Sequence, residues 1–363
     1  MAMSGLVIAH ISKSFKSEKV LDDVSLDVNA GEIVAIVGPS GTGKTVLLRI
    51  IAGLQEPDTG TVAIDGVDMT EASPEARGVG MAFQNFALFP HFSAFDNIGS
   101  PLVARHATAQ SLKEKVDAVA RMLKIDHVLG HAPRELSNGQ KQRTALARAL
   151  VAQPKVLLLD DPLRNVDAKL RYEMRLELPR LLRSYNAAVI YVTQDYKEAM
   201  SLGDRIAVLR GGRIEQWASP RDVYATPASV EVAKLFGDPT INLLPSKVER
   251  GEIQILGRNV PTPDASGLPG GSVLAGLRPE HLSVSRTETT GGIPCELDAV
   301  MPVNVRSVLY LRGPAGEEIL ATVGESEAAK FGRDHRKVWI DFAPEHVLLF
   351  DAATGARIGH QAH

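Results

Sequence analysis

Eight consecutive residues, from Gly38 to Thr45, could hold the phosphates of a nucleotide. They match the pattern G-x-x-x-x-G-K-[ST] at every specified position. In this pattern, backbone N–H groups surround the phosphate oxygens, Lys44 reaches the β and γ phosphates, and the Thr45 hydroxyl is a ligand of Mg²⁺. The candidate nucleotide-binding residues of this loop are Gly38, Pro39, Ser40, Gly41, Thr42, Gly43, Lys44 and Thr45.

The segments on either side of the loop have the periodicity that the motif requires. Residues 32–37 read as a short buried strand, and residues 46–52 read as a helix that ends at Gly53. A helix that begins directly after the glycine loop points the positive end of its dipole at the phosphates. The order strand, glycine loop, helix therefore favours a phosphate-binding loop over a glycine-rich turn that ends in Lys-Thr by chance.

Three further apolar segments end in polar side chains. Residues 156–161, Val-Leu-Leu-Leu-Asp-Asp, read as a strand that ends in Asp160 and Asp161, and such a strand completes Mg²⁺ coordination near a phosphate loop. Asp160 is the predicted metal ligand. The strand at 79–83 leads into Gln84, and the strand at 187–192 leads into Thr193 and Gln194.

Strands and helices alternate through most of the chain, which predicts an α/β core preceded by antiparallel strands. Residues 108–129 have the spacing of an amphipathic helix, and Ser137 is a predicted N-cap of another helix. Residues 85–90 form an apolar stretch with few charges, which would be a docking surface if it is exposed. From about residue 242 the pattern changes to short strands separated by Gly and Pro, which predicts a small β-barrel domain.

Composition excludes several classes of protein. The chain has 363 residues, a net charge of −3 and one cysteine, Cys295. This length allows two or three domains, and this charge gives no general attraction to nucleic acid or to anionic lipid. One cysteine cannot form an internal disulfide, and there is neither a signal-peptide pattern nor an apolar run of about 18 residues. We therefore expect a cytoplasmic protein that reaches a membrane only through other chains.

In this order, the motifs resemble ATP-binding-cassette ATPases, and specifically the subunits of importers typified by the bacterial maltose and glycerol-phosphate transporters. The resemblance covers nearly the whole chain. It is carried by the phosphate loop, by Gln84 within residues 82–91, by Leu-Ser-Asn-Gly-Gln at 136–140, and by the strand that ends at Asp160. In the C-terminal part it is carried by residues 242–245, Asn-Leu-Leu-Pro, and 276–282, Gly-Leu-Arg-Pro-Glu-His-Leu.

The resemblance implies a nucleotide-binding domain at 1–236, with a helical subdomain at about 90–155, and a C-terminal barrel of the OB or TOBE type at 237–363. It implies ATP and Mg²⁺ as cofactors. Two such subunits bind ATP between them head to tail, beside two membrane-spanning permease subunits on the cytoplasmic face of the inner membrane. A solute-binding protein outside the membrane acts on them indirectly, and no nucleic acid is involved.

The resemblance also implies roles for single residues. Phe15, which alone would indicate packing at a sheet edge, stacks on the adenine base, and Gln84 contacts Mg²⁺ and the γ phosphate. Residues 85–98 receive a helix of the membrane partner. The residues that contact the ATP held by the other subunit's phosphate loop are Ser137, Gly139 and Gln140.

This chain departs from the family at four motifs. It has Asp161 where the family has a glutamate as general base, and Gln194 where the family has a histidine. Residues 136–140 are Leu-Ser-Asn-Gly-Gln instead of Leu-Ser-Gly-Gly-Gln, and residues 164–167 are Arg-Asn-Val-Asp instead of Ser-Asn-Leu-Asp. Glutamine can form hydrogen bonds but cannot carry the charge of an imidazolium or shuttle a proton.

Asp161 and Gln194 belong to the same site as Lys44, whereas Ser137 and Gly139 serve the opposite site and are retained. This asymmetry predicts a subunit that binds ATP, hydrolyses it slowly at its own site, and pairs with a different ATPase. A homodimer with adequate turnover is the alternative. Three other functions also stay open: a non-hydrolytic structural subunit, a soluble cassette ATPase that acts on DNA or ribosomes, and the ATPase of a polyamine or ion importer.

Overall fold

Buried apolar residues form separate cores in two parts of the chain, which divide between Arg221 and Asp222. A computed structural model describes residues 4–249, 252–261, 272–331 and 336–359. The predicted domain limits at residues 1 and 363 lie outside these ranges. Because each part has its own core, the two units are described in turn.

Four strands of the first unit form an antiparallel sheet. They are β1 (Ser4–Phe15), β2 (Glu18–Asn29), β4 (Thr59–Ile64) and β5 (Val67–Asp68), in the order β2-β1-β4-β5. Along β2, Val24, Leu26 and Val28 are buried and alternate with more exposed residues. This period of two buries one face of the sheet against the core of the first unit.

A second, six-stranded sheet forms the centre of the first unit. Its strands are β3 (Ile33–Val37), β6 (Val79–Ala82), β7 (Val156–Asp160), β8 (Ala188–Thr193), β9 (Arg205–Arg210) and β10 (Arg213–Ala218). The order is β10-β9-β3-β8-β7-β6, and all neighbours are parallel except β9 and β10. Strands β3, β7 and β8 are buried along their whole length, which explains their continuous apolar sequences.

The strand order puts the carboxyl ends of β3, β8, β7 and β6 next to one another at a single edge of the sheet. The phosphate loop follows β3, Gln194 follows β8, Asp160 ends β7, and Gln84 comes soon after β6. Ligands of open α/β sheets bind at such an edge. Polar residues that are far apart in sequence are therefore neighbours in the fold.

Seven helices within residues 4–219 connect these strands. They are α1 (Lys44–Ile51), α2 (Pro74–Arg77), α3 (Ala94–Ala104), α4 (Ala109–Met122), α5 (Asn138–Leu150), α6 (Ala168–Ser184) and α7 (Tyr196–Leu202). Helices α3, α4 and α5 pack on one another within the predicted helical subdomain. The helix predicted at 108–129 ends earlier, at Met122, because Lys124 has a left-handed backbone, and a 3₁₀ turn follows at Asp126–Val128.

The second unit consists mainly of two antiparallel five-stranded sheets, which agrees with the predicted β-rich domain. One has the strands β11 (Asn242–Glu249), β12 (Glu252–Ile255), β13 (Arg258–Pro261), β14 (Ser272–Leu277) and β20 (Leu348–Asp351), in the order β13-β12-β11-β14-β20. The other has β15 (Ser283–Ser285), β16 (Ile293–Val303), β17 (Arg306–Arg312), β18 (Glu318–Gly324) and β19 (Lys337–Asp341), in the order β15-β19-β16-β17-β18. Three short α-helices are also described, namely α8 (Pro220–Ala225), α9 (Val230–Leu235) and α10 (Glu325–Ala328). Short 3₁₀ helices lie at Pro133–Glu135, Pro279–His281 and Pro344–His346.

Residues 222–236, which the sequence placed in the first domain, pack with the second unit. Arg278 donates hydrogen bonds to the carbonyls of Tyr224 and Phe236, at 2.6 Å each. Its guanidinium carbon also lies 3.6 Å from the centroid of the Tyr224 ring. These hydrogen bonds hold the segment that contains α9 against β14 and its neighbours, because buried polar groups need hydrogen-bond partners.

Candidate nucleotide-binding site

The backbone of the loop between β3 and α1 requires glycine at two positions. A Cβ atom on Gly38 would lie 2.1 Å from the carbonyl oxygen of Leu209. Gly43 has φ +95°, and a Cβ there would lie 2.7 Å from a methyl group of Leu21. Only glycine combines this backbone conformation with so close an approach.

Lys44 is held within the loop that it follows. Its side chain is buried, and the ammonium donates to the carbonyls of Gly38 at 2.8 Å and Pro39 at 2.6 Å, and to the Thr42 hydroxyl at 3.3 Å. Burial lowers the pKa of Lys44, while the nearby Asp161 raises it. The loop therefore holds the positive charge of Lys44 where, in a phosphate loop, the phosphate oxygens of a nucleotide would bind.

Thr45 and Asp160, two of the residues that the sequence predicted as Mg²⁺ ligands, contact each other. The Thr45 hydroxyl donates to both carboxylate oxygens of Asp160, at 3.2 and 3.1 Å. Burial raises the pKa of Asp160, and the hydrogen bond from Thr45 opposes that rise. Gln84 lines the same cavity.

This donor set has the chemistry that Mg²⁺ prefers. Thr45, Asp160 and Gln84 offer hydroxyl, carboxylate and amide oxygens, and Mg²⁺ is usually held by one or two carboxylates together with substrate phosphates. Within the ranges that the structure describes, no cluster of three His, Cys, Asp or Glu side chains could hold a metal ion without other ligands. A bound Mg²⁺ would neutralise charge on the phosphate oxygens.

A cavity of about 310 Å³ joins most of the predicted residues. It is lined by Val20, Ser40, Gly41, Gly43, Lys44, Thr45, Val46, Gln84, Asp160, Asp161, Arg164, Val192 and Gln194. The structure thus brings the predicted phosphate, metal and catalytic residues to one place. Gly38, Pro39 and Thr42 contact Lys44 rather than line the cavity.

Asp161 is a buried carboxylate with an unusual backbone. Its φ is +47°, and its N–H donates to the carbonyl of Val192 at 2.8 Å. Burial and the neighbouring Glu198 raise the pKa of Asp161 to about 6, although Arg164 acts in the opposite direction. Its side chain is therefore a stronger base than an ordinary aspartate and is still mostly ionised at neutral pH.

Gln194 contacts the phosphate loop directly. Its Oε1 accepts a hydrogen bond from the Ser40 hydroxyl at 3.1 Å. The next residue, Asp195, caps α7 by accepting from the Lys197 N–H at 2.8 Å. The amide of Gln194 is therefore placed between the carboxyl end of β8 and the loop.

Four further predicted nucleotide contacts, Phe15, Ser137, Gly139 and Gln140, also lie outside this cavity. Phe15 ends β1 with 45% of its surface exposed, and the Lys13 ammonium lies 5.9 Å from the centroid of its ring. Ser137 caps α5, as predicted: its hydroxyl accepts from the Gln140 N–H at 3.3 Å, and the Gln140 side chain accepts from the Ser137 N–H at 2.9 Å. Gly139 is buried in the first turn of α5.

The segment that follows Gln84 is held by residues that the sequence reasoning missed. Asn165 donates to the carbonyl of Gln84 at 2.9 Å. Arg148, from α5, donates to the carbonyls of Phe86 at 2.9 Å and Ala87 at 2.7 Å. Both acceptor residues have positive φ, 63° and 47°, so these hydrogen bonds hold a backbone that is unfavourable for them.

Asn97 in α3 holds the next part of the same segment. It is fully buried, accepts from the Phe89 N–H at 2.8 Å, and donates to the carbonyls of Phe89 and Phe92 at 3.1 and 3.2 Å. Both phenylalanines nevertheless remain exposed, with 49% of the surface of Phe89 and 44% of that of Phe92 accessible to solvent. The sequence does show an asparagine, Asn97, close to an apolar loop. It does not show that this asparagine is buried, and its role was therefore missed.

The loop around Lys44, the Thr45–Asp160 contact and the parallel strand order define a nucleotide-binding domain of the phosphate-loop class. Comparison with known proteins gives the family. Residues 21–164 match the ABC transporter family, and residues 275–350 match the TOBE domain.

Two relatives match over almost their whole length. An uncharacterised ABC transporter ATP-binding protein of Bacillus subtilis, YurJ, is 38% identical over 369 residues, which cover 97% of this chain and 99% of that protein. The sn-glycerol-3-phosphate import ATP-binding protein UgpC of Escherichia coli K12 is 38% identical over 362 residues, which cover 98% of this chain and all of that protein. A solved dimeric ATP-binding cassette, bound to ADP and Pi after hydrolysis, is 30% identical with a TM-score of 0.55, and covers 60% of this chain and 99% of its own.

The chain therefore belongs to the family of ABC transporter ATP-binding proteins. The resemblance and the fold class that the sequence predicted are confirmed, including the C-terminal domain of the TOBE type. ATP with Mg²⁺, the predicted cofactors, are those of this family of ATPases. No helix in the described ranges is long and apolar enough to span a membrane.

Proposed function

We propose that this chain is the ATP-binding subunit that drives an importer for a sugar, a polyol, glycerol or glycerol phosphate. The name of the relative UgpC, an ATP-binding protein of sn-glycerol-3-phosphate import, supports this class of solute. The chain would lie at the cytoplasmic face of the membrane beside two permease subunits, and a solute-binding protein would act on it indirectly. Solute choice would belong to those other chains.

The observation that carries this proposal is the single cavity at the ends of four neighbouring strands. In it, the phosphate loop and Lys44 would bind the phosphates, and Thr45, Asp160 and Gln84 would hold Mg²⁺. Phe15, outside the cavity and half exposed, would stack on the adenine base. Ser137, Gly139 and Gln140 would contact the ATP of the other subunit.

Hydrolysis at this site would be slow because two groups differ from those of the family. The Asp161 carboxylate is one methylene shorter than glutamate, and a misplacement of about 1 Å can cost about 10²-fold in rate. Gln194 is neutral and already accepts a hydrogen bond from Ser40. In this proposal, the rate of hydrolysis depends on Asp161 and Gln194, whereas the phosphate loop, Thr45 and Asp160 provide most of the ATP binding.

The contrast between the chain's own site and the residues that would serve the opposite site supports a heterodimer with a different ATPase. Two of the changed residues, Asp161 and Gln194, belong to the chain's own site, whereas Ser137 and Gly139, which would serve the opposite site, are retained. The solved relative is described as dimeric. A partner with an intact glutamate and histidine would then hydrolyse ATP at the site that this chain's α5 completes.

The test measures ATP hydrolysis by the chain alone and by its assembly with a partner ATPase and permease subunits. Asp161→Glu and Gln194→His should together raise hydrolysis at this chain's own site by about tenfold to 100-fold. Because Asp161 has a left-handed backbone, which suits Asp better than Glu, the melting temperature of each variant is measured in parallel. Rapid hydrolysis by the unmodified lone chain, with no gain from either substitution, would contradict the proposal.

A further inference from the structure

Two cations line the nucleotide cavity, and only one of them belongs to the phosphate loop. Lys44 already donates to three acceptors of that loop. Arg164 is the other cation, and half of its side chain is exposed. Its guanidinium lies 3.7 Å from a carboxylate oxygen of Asp161, which is an ion pair but longer than a hydrogen bond.

The backbone that carries Arg164 is fixed while its side chain extends into the cavity. The Arg164 N–H donates to the carbonyl of Asp161 at 3.2 Å, and its carbonyl accepts from Arg171 at 3.2 Å. The next residue, Asn165, donates to the carbonyl of Gln84 at 2.9 Å. The backbone of residues 164 and 165 is therefore held beside Asp161 and Gln84, both of which line the cavity.

Phosphoryl transfer spreads negative charge over the oxygens of the transferred group, and stabilisation of that charge is most of the catalysis. Gln194 cannot supply a positive charge, and the cavity holds two buried carboxylates, Asp160 and Asp161. An arginine presents several N–H donors in one plane, a geometry that matches phosphate oxygens. Arg164 therefore places a positive charge beside Asp161, where the cavity has no other lining cation than Lys44 of the phosphate loop.

We propose that Arg164 is a further catalytic residue, whose guanidinium contacts the γ phosphate and stabilises its charge during hydrolysis. This inference rests on the proposed nucleotide site. No bond to Arg164 forms or breaks. Water attacks the γ phosphorus and gives a proton to Asp161, the bond from that phosphorus to the oxygen shared with the β phosphate breaks with its electron pair left on ADP, and ADP and phosphate leave.

The test compares the affinities of the full chain for ATP and for ADP, each with Mg²⁺, by titration calorimetry. Arg164→Ala should weaken ATP binding by about tenfold and change ADP binding by less than about twofold, because only ATP has a γ phosphate. Arg164→Lys, which keeps the charge without the planar fork, should lie between. Lys169→Ala, which removes an exposed cation at the start of α6, is the matched control and should change neither affinity.

Hydrolysis by the assembled transporter gives the second measurement. Arg164→Ala should lower hydrolysis at this chain's own site by tenfold or more, with an unchanged melting temperature. Equal effects on ATP and ADP, or faster hydrolysis after the substitution, would overturn the inference and make Arg164 a restraint on Asp161. If the unmodified chain bound neither nucleotide, the proposed function itself would fail, which is a different result.

Discussion

The two ends of the nucleotide cavity are built differently. At the phosphate-loop end, Lys44 and Asp160 are buried and hydrogen-bonded to groups of the same end. At the opposite end, which we call the hydrolytic end, the buried Asp161 forms one long ion pair with the half-exposed Arg164, and the exposed Gln194 accepts one hydrogen bond from the Ser40 hydroxyl.

This difference implies that ATP binding and ATP hydrolysis can depend largely on different side chains of the same cavity. Buried charges that are fully hydrogen-bonded are costly to disturb, whereas exposed neutral hydrogen bonds contribute little. Changes at the hydrolytic end can therefore accumulate without loss of the phosphate loop. Three substitutions test this contrast, in addition to those described above.

The largest effect is expected at the phosphate-loop end. Lys44→Ala removes a buried charge that would contact the β and γ phosphates, so ATP affinity should fall by at least about 100-fold. Titration calorimetry with Mg²⁺ and ATP measures the change. Lys115→Ala, which removes an exposed lysine of α4, should leave the affinity unchanged. A loss of less than tenfold for Lys44→Ala would place most of the binding energy outside this end.

A second, intermediate effect concerns the loop that follows Gln84. Arg148→Met removes the donors to the carbonyls of Phe86 and Ala87 and the cation 5.6 Å from the Phe89 ring. Because both carbonyls lie in a strained left-handed turn, the free energy of unfolding should fall by about 1–2 kcal/mol. Urea denaturation measures this change, and ATP affinity should stay within about twofold.

Arg121→Met, at an exposed position of α4, is the control for loss of a surface arginine and should change the free energy of unfolding by less than about 0.5 kcal/mol. A loss of ATP affinity with Arg148→Met as large as that of Lys44→Ala would contradict the separation of the two ends. Gln84 and its loop would then belong to the phosphate-binding end.

The sequence was sufficient to predict the phosphate-loop end because its signal is local. Gly38 and Gly43 are required by close contacts of the backbone, and the apolar strands before the loop and before Asp160 are continuous. Spacing alone also predicted the cap at Ser137. The cap and the apolar strands depend on neighbouring residues, and the glycine pattern is recognisable in the sequence although the contacts that require it, with Leu209 and Leu21, are distant.

The other features of the site, and the domain limit, depend on contacts between residues that are distant in sequence. The periodicity of the sequence does not predict such contacts. The donation from Arg148 to Phe86 and the donation from Asn165 to Gln84 each join segments that only the fold brings together. The domain limit illustrates the same point. Residues 222–236 look like a continuation of the first domain in sequence, but Arg278 fixes them to the second unit.

The smallest effect is expected where the two ends touch. Ser40→Ala removes the hydrogen bond to Gln194, a contact between exposed, neutral side chains, so ATP affinity should change by less than about threefold. A double-mutant cycle with Gln194→Ala measures the coupling directly and should give less than about 1 kcal/mol. A coupling above about 2 kcal/mol would mean that Gln194 is part of the phosphate-binding end, because exposed neutral groups do not reach that energy. Gln194→His would then be expected to disturb ATP binding as well as hydrolysis, and the contrast between the two ends would have to be redrawn with Ser40 and Gln194 on the same side.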